Sequence, residues 1–478
     1  MFKQVSYSLL CVLCAILMVA CKRGSSGDPN INTDPELVAA CKHIEGGGAE
    51  VTGGDGGMIY RVSRLDDEAD PNTGLPMAGT LRYAVNQVGL RRVIFNVSGT
   101  IHLKSALSIK TGNITIDGQS APGDGICLAD YPLIINANNV IVRFLRVRLG
   151  DDSNTESDAV SVNNSTGVVL DHLSCSWSVD ECVSCYGNKD FTMQYCIVSE
   201  SLKESIHGKG SHGYGGIWGG KNASFHHNLL AHHDSRNPRF DHDYVDTKYA
   251  GPIDYVNNVV YNWGGNSTYG GEGTNKGAGG RHVNMVNNYY KYGPSTSKRN
   301  RLVDPKVECD DNCVKKPGGT VEPGKFFLSG NYMYGDAEVT SDNWKGSTQP
   351  KSVAGANSRW TSGLTALKTE QTAQQAYETV LAKAGCSLHR DAVDTRIVND
   401  VRNATGSLIN TQSTVGGWPE LTSATRETDS DYDGIPDVWE EEHGLNPHDP
   451  LDAKKITLVT GHTNLDVYMC YLVRNLYD

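Results

Sequence analysis

Asn139-Val-Ile-Val-Arg-Phe-Leu-Arg-Val-Arg148, Gly167-Val-Val-Leu-Asp171 and Phe191-Thr-Met-Gln-Tyr-Cys-Ile-Val198 are the stretches on which the fold turns. Each is rich in β-branched and apolar residues, alternates in and out, and is too short for a helix. Similar runs occur at Arg92-Val-Ile-Phe-Asn-Val97 and Asn113-Ile-Thr-Ile-Asp117, and the pattern persists from about Arg91 to Tyr334 with Gly, Asn, Asp and Ser between runs. A second signal lies on top of it: His227-Asn-Leu-Leu230, Asn257-Asn-Val-Val260, Asn287-Asn-Tyr-Tyr290 and Gly330-Asn-Tyr-Met333. Recurrence at about 25–45 residues marks a stacked architecture. Asn at equivalent turns can pass its amide hydrogen bonds from coil to coil. A sandwich would instead show evenly spaced hairpins with Asn-Gly or Asp-Gly turns, which do not dominate. The expected fold is all-β, a parallel β-helix with three short strands per coil and an interior of Val, Ile and Leu ladders.

A length of 478 residues suggests several units, but solenoids run long as one. The 52 glycines and 38% hydrophobic content favour strands and turns over a helical bundle. The net charge of −12 argues against nucleic-acid binding, and would repel an acidic polysaccharide unless local cations reverse the field. At the amino end, Lys3 and the apolar run Leu9–Ala20 read as an export signal over 1–20. Met18-Val19-Ala20-Cys21 resembles a bacterial lipobox, which implies lipidation of Cys21, a lipid anchor in the membrane and a polar tether over 21–44. That predicts a monomeric lipoprotein in the outer membrane of a Gram-negative bacterium, or a secreted protein. Cys309-Asp-Asp-Asn-Cys313 reads as a local disulfide. Cys175, Cys182, Cys185 and Cys196 read as small core residues, because Cys182-Val-Ser-Cys185 has no second pair at zinc spacing.

The densest chemistry lies between Glu156 and Asp243. Glu156-Ser-Asp158, Asp171-His172 and Asp180-Glu181 place acids on successive segments. If coils stack about 4.8 Å apart, such acids converge on one cation, and an oxygen donor set fits Ca2+. Basic residues follow: Lys203, then Lys209 opening the glycine-rich run to Gly220, then Arg236-Asn-Pro-Arg239. The histidines His207, His212, His226, His227, His232 and His233 are read as stacking and hydrogen bonding along the solenoid, with His212 also a candidate for binding substrate.

Several blocks in register carry a resemblance. Gly79-Thr-Leu-Arg-Tyr-Ala-Val85, Val97-Ser-Gly-Thr-Ile101, Asn113 to Gly123, Val169-Leu-Asp-His172 and the His226 to Arg239 block follow the order seen in pectate lyases of polysaccharide lyase family 1. Ser199 to Gly220 resembles the trisaccharide-lyase-type branch, and the likeness covers roughly 45–335. It implies a right-handed parallel β-helix that cleaves α-1,4-linked polygalacturonate or pectin by β-elimination with Ca2+, giving 4,5-unsaturated oligogalacturonides. Onto its pattern fall Glu156, Asp158 and Asp180 as calcium ligands, with Glu181 in place of an acid where Ser184 stands, and Arg236 as the catalytic arginine. The lysine matches at Lys203 or Lys209. A further basic residue is expected where Asp241 stands, so Arg239 is assigned to the substrate carboxylate. Such a set suits the chemistry, since cations stabilise the anion formed when the C5 proton leaves and arginine pairs bidentately with carboxylates. The contrasting reading is an inactive β-helix that binds polyuronide, kept open by Ser184 and Asp241.

The tail differs in kind. Thr369 to Lys383 has helical spacing closed by Gly385, and Thr405 to Thr428 reads as a linker. The expected organisation is a lyase domain over 45–345, an extension with helix and linker over 346–425, and a calcium module over 426–478. In that module Asp429, Asp431, Asp433, Asp437 and Glu440 occupy loop positions 1, 3, 5, 9 and 12, with Gly434 at 6 and the Ile435 carbonyl at 7. This is an EF-hand-like structural calcium loop by pattern.

Overall fold

The computed structural model describes residues 34–41, 43–241, 251–272, 281–306, 323–347, 358–361, 367 and 371–477. Cys21 and the pair Cys309 and Cys313 lie outside these residues. Three parallel sheets of ten, nine and eight strands form a right-handed β-helix. One coil shows the rule. Val140–Arg143 belongs to the ten-stranded sheet, Leu145–Arg148 to the nine-stranded and Val160–Asn163 to the eight-stranded. Thr166–Asp171 then returns to pair in parallel with Val140–Arg143, Val168 opposite Val140.

The corner between the first two sheets is a single residue with left-handed backbone. Phe144, His172, Tyr195, His227, Asn257 and Asn287 hold it in successive coils, with φ between 50° and 57°. For a residue with a Cβ this costs roughly 1–2 kcal/mol. Stacking offsets the cost, since Phe144, His172, Tyr195 and His227 lie ring on ring with centroids 4.6, 5.0 and 4.8 Å apart. One position further on runs the amide ladder expected from the repeats. Asn228 donates to Asn258 at 3.0 Å, Asn258 to Asn288 at 3.0 Å and Asn288 to Asn331 at 2.9 Å. Asn331 then donates to Asn343, which ends the ladder beyond the repeats.

Inside, Val, Ile and Leu pack with the buried Cys175, Cys182, Cys185 and Cys196 in one continuous core. Leu81–Asn86 covers one end with Leu81, Ala84 and Val85, and Ala337–Ser341 contributes Val339 to the same core. The helices Ala373–Lys383 and Ala392–Asn403 are held beside the nine-stranded sheet. Arg148 pairs there with Asp391 at 2.5 Å and Asp394 at 3.0 Å, and Arg396 with Glu200 at 2.6 Å. The polar stretch after them is laid against the solenoid: Trp418 donates to the Arg148 carbonyl at 3.0 Å and meets Trp177 edge to face. Ser423 then bridges to Gly123.

Four buried histidines give the fold an acid limit. Burial holds His43 and His227 down at about 3, and His226 and His233 at about 4. Below the ordinary value near 6.5 the unfolded chain takes up protons that the folded chain refuses, so stability falls as pH drops from 6.5 toward 4. Each ring alone contributes a slope on the order of 1 kcal/mol per pH unit near pH 5, opposed by buried carboxyls such as Asp241, which burial pushes up to about 6. His226→Gln should flatten the fall of the urea midpoint between pH 7 and 5 relative to the unaltered chain; an unchanged pH dependence would contradict the neutral burial of that ring.

Candidate active site

The site is built on the turns that lead into the eight-stranded sheet. Ala159 donates its backbone N–H to the Glu181 carbonyl, and isolated parallel bridges join Glu181 to Tyr214 and Tyr214 to Ser235. Asp158, then Asp180 and Glu181, then Tyr214, and finally Ser235 and Arg236 therefore stand one above another on consecutive coils. This stacking turns distant positions in sequence into neighbours.

Asp158, Asp180 and Glu181 bring carboxylate oxygens within 4.8 Å of one another. Asp158 accepts from the Ser161 hydroxyl at 2.8 Å and the Glu181 backbone N–H at 3.2 Å. Desolvation, with the charge of Asp180 reinforcing it against the Ser161 bond, pushes the Asp158 carboxyl up to about 7. Ser184 is buried beside it, opposite Ser161 in the strand register. Glu156 is drawn aside: it accepts from the Gly208 backbone at 2.8 Å and lies 3.2 Å from His207 Nε2.

Arg236 reaches back two coils and ion-pairs with Glu181, its guanidinium carbon 4.4 Å from the centre of the Tyr214 ring. Its own backbone is left-handed, φ 57°, which turns it out of the strand direction. Arg239 is paired with Glu272. Lys203 lies 3.1 Å from Asp234, while Lys209 stands on an exposed turn and donates its backbone N–H to His207 Nδ1 at 3.0 Å. The described contacts place neither lysine against the three acids.

Two further placements bear on the site. Asp241, at the position of the missing basic residue, is buried and pairs with Arg281 at 2.5 Å, so it does not face outward as an unpaired acid. The histidines divide. His226, His227, His232 and His233 are buried along the solenoid as expected, with His233 bonded to Ser201 at 2.6 Å and to the Val198 carbonyl at 2.9 Å. His207 and His212 instead stack on each other, centroids 3.4 Å apart, and sit 3.7 and 3.6 Å from Asp180. They form a second possible metal-holding group with that acid. Tyr214 and His207 were missed as site residues in the sequence; the glycines around them signalled only a tight backbone.

In the C-terminal loop, Asp429, Asp431 and Asp433 converge, and Asp433 converges again with Glu440 and Asp452. Asp437 points elsewhere, accepting from the Ser430 backbone at 2.7 Å and hydroxyl at 2.6 Å. Ile435 is buried behind the loop and donates its N–H to Asp433 at 2.9 Å. Asp452 carried no signal in the loop pattern, lying twelve residues beyond it.

No family model matches the chain. A probable pectate lyase C from Aspergillus flavus is 32% identical over 459 residues, covering 92% of this chain and 95% of that protein. One from Aspergillus terreus is 32% identical, covering 91% and 94%. Solved structures of related shape include the cedar pollen allergen jun a 1, with TM-score 0.47, 18% identity and coverage of 75% of this chain and 96% of that one. Pectate lyase C from Erwinia chrysanthemi gives TM-score 0.43, 15% identity and coverage of 74% and 99%. The chain belongs to the pectate lyases of polysaccharide lyase family 1. It is accordingly a polysaccharide lyase, and the reading as an inactive binding protein is not favoured. The outer-membrane expectation is overturned: the relatives covering about nine tenths of the chain, those from Aspergillus flavus and Aspergillus terreus among them, are fungal and point to a fungal-type pectate lyase.

Proposed function

We propose that this pectate lyase cleaves α-1,4-linked polygalacturonate by calcium-dependent β-elimination and releases 4,5-unsaturated oligogalacturonides. The observation that carries the reading is the carboxylate group of Asp158, Asp180 and Glu181 with Arg236 reaching it from a later coil. The donor set fits a hard cation, because three oxygens of separate side chains lie close enough to share one ion. Calcium held there would bridge the protein to a uronate carboxylate and draw off the charge that develops on the sugar. Tyr214 supports the Arg236 guanidinium from one side, and Glu181 fixes its direction. Arg236 in its neutral form takes the C5 proton; the C5–H electron pair becomes the second bond between C4 and C5, and the C4–O pair leaves with the glycosidic oxygen, which takes a proton from water. Arg239, and Lys203 or Lys209, neutralise neighbouring uronates, and His212 lies at the edge of the same group.

Mass spectrometry of the products decides the reaction type. Elimination gives fragments with an unsaturated end, one water lighter than hydrolytic fragments; hydrolytic fragments alone would overturn the proposal. Alanine at Lys203 and at Lys209 separates the two lysines. The one that holds substrate should raise KM about tenfold, the loss of one charge-assisted contact, and the other should leave it unchanged. Unchanged KM in both variants would remove lysine from the site.

A further inference from the structure

The loop at Asp429 to Glu440 was read as six positions of one pattern, but the folded chain selects a different set of groups. We propose that Asp429, Asp431, Asp433 and Glu440, completed by Asp452, form a calcium site separate from the active site, and that this site fastens the C-terminal module to the first coils of the β-helix.

Convergence alone would be weak ground, since acids often cluster at surfaces. The second observation is burial without partners. Glu440 is 0% exposed and Asp433 1%, and neither Glu440 carboxylate oxygen nor Asp433 Oδ2 accepts a hydrogen bond. Asp431 Oδ2 and Asp452 Oδ1 are buried and unpartnered as well. A buried carboxylate without a donor costs several kcal/mol, and here five such oxygens from four side chains turn inward together. All are hard oxygen donors with no His or Cys among them, the set that suits Ca2+.

The geometry also departs from the linear pattern. Asp437 faces away to cap Ser430, so the ninth loop position supplies no inward carboxylate. Asp452 takes a place instead, from the short helical turn Asp452–Lys454. Its other oxygen accepts from the Asn446 backbone at 2.8 Å, so one residue ties the returning segment to the cluster. A cation there would close a loop of chain from Asp429 to Asp452, more than the calcium loop itself.

What the site holds in place follows from its surroundings. Ile435 and Trp439 pack with Leu465, Met469 and Ile94, the last an outward residue of the strand Arg91–Phe95. Asp429 is 3.2 Å from Arg61 on the strand Met58–Val62, and Asp466 is 2.8 Å from Arg92. The solenoid core is a separate apolar cluster. Removing the cation leaves inward carboxylates repelling one another directly beneath Ile435 and Trp439. The module should loosen while the coils remain folded.

The test uses the full-length protein without polysaccharide and Ca2+ itself as the probe. Equilibrium dialysis should find one calcium retained at about micromolar free concentration, on the order of sensor sites. Chelation should open tryptic cleavage at Lys454 or Lys455 while the solenoid stays intact on a gel, a readout that needs no variant. Asp452→Asn should weaken retention at least about tenfold. Asp437→Asn should leave it within about twofold, and Asp158→Asn, in the active site, should leave both retention and cleavage unchanged. Equal retention in Asp452→Asn, cleavage indifferent to chelation, or loss of this calcium in Asp158→Asn would each overturn the proposal. Failure of Asp158→Asn to cleave polygalacturonate concerns the other site and leaves this result intact.

Discussion

Arg236→Lys should lower kcat on polygalacturonate by about 10²-fold and Arg236→Ala by about 10³-fold, within the range for removing a proton-transferring group. Lysine retains a positive charge toward Glu181 but loses the planar guanidinium that lies over Tyr214. Alanine also leaves Glu181, 5% exposed, without its ion pair, so its folding must be checked by thermal unfolding alongside the rate. The lysine variant avoids that difficulty and separates the two effects. Each variant should keep its substrate affinity within severalfold, because the other cations and the acid group remain. A full rate in either variant would move the proton transfer to another residue.

The second large effect concerns the acids. Asp180→Asn should raise the free calcium needed for half-maximal rate by about 10–100-fold, the scale on which altering a metal site reduces affinity. Asp180 is the sensitive choice, since it belongs both to the group with Asp158 and Glu181 and to the group with His207 and His212. The rate at saturating calcium should recover much of its value if asparagine still offers one oxygen. Titrating calcium against initial rate measures both numbers. An unchanged calcium requirement would exclude Asp180 from the cation site.

The sequence made the repetitive parts of this molecule legible and left the irregular parts dark, for a physical reason. Strand runs and the Asn228, Asn258, Asn288 and Asn331 positions recur because every coil must solve the same turn, so their spacing reports the fold directly. The candidate site residues Asp158, Asp180 and Arg236 were reachable by motif because they sit next to those regular strands. Their contacts were not, because the chain between Glu200 and Ile217 leaves the strands, and its path decides what meets what. That excursion brings His207 and His212 to Asp180 and places Tyr214 beneath Arg236. Glu156 and Asp158, two apart, would share a face on a strand. They lie just before the strand Val160–Asn163, where that alternation does not bind, and Glu156 turns to His207 instead. The pairing of Asp241 was equally hidden, since its partner Arg281 comes from a later coil. Asp452 was invisible because a calcium pattern is written along one segment, whereas the cluster closes across two.

The most direct test of the central claim is the ultraviolet absorbance of unsaturated product from polygalacturonate, followed with saturating calcium and again after chelation. Absorbance should rise steadily at alkaline pH with calcium, stop on adding chelator and resume when calcium is restored. No rise under saturating calcium would contradict the elimination chemistry, and a rise indifferent to chelator would contradict the role given to Asp158, Asp180 and Glu181.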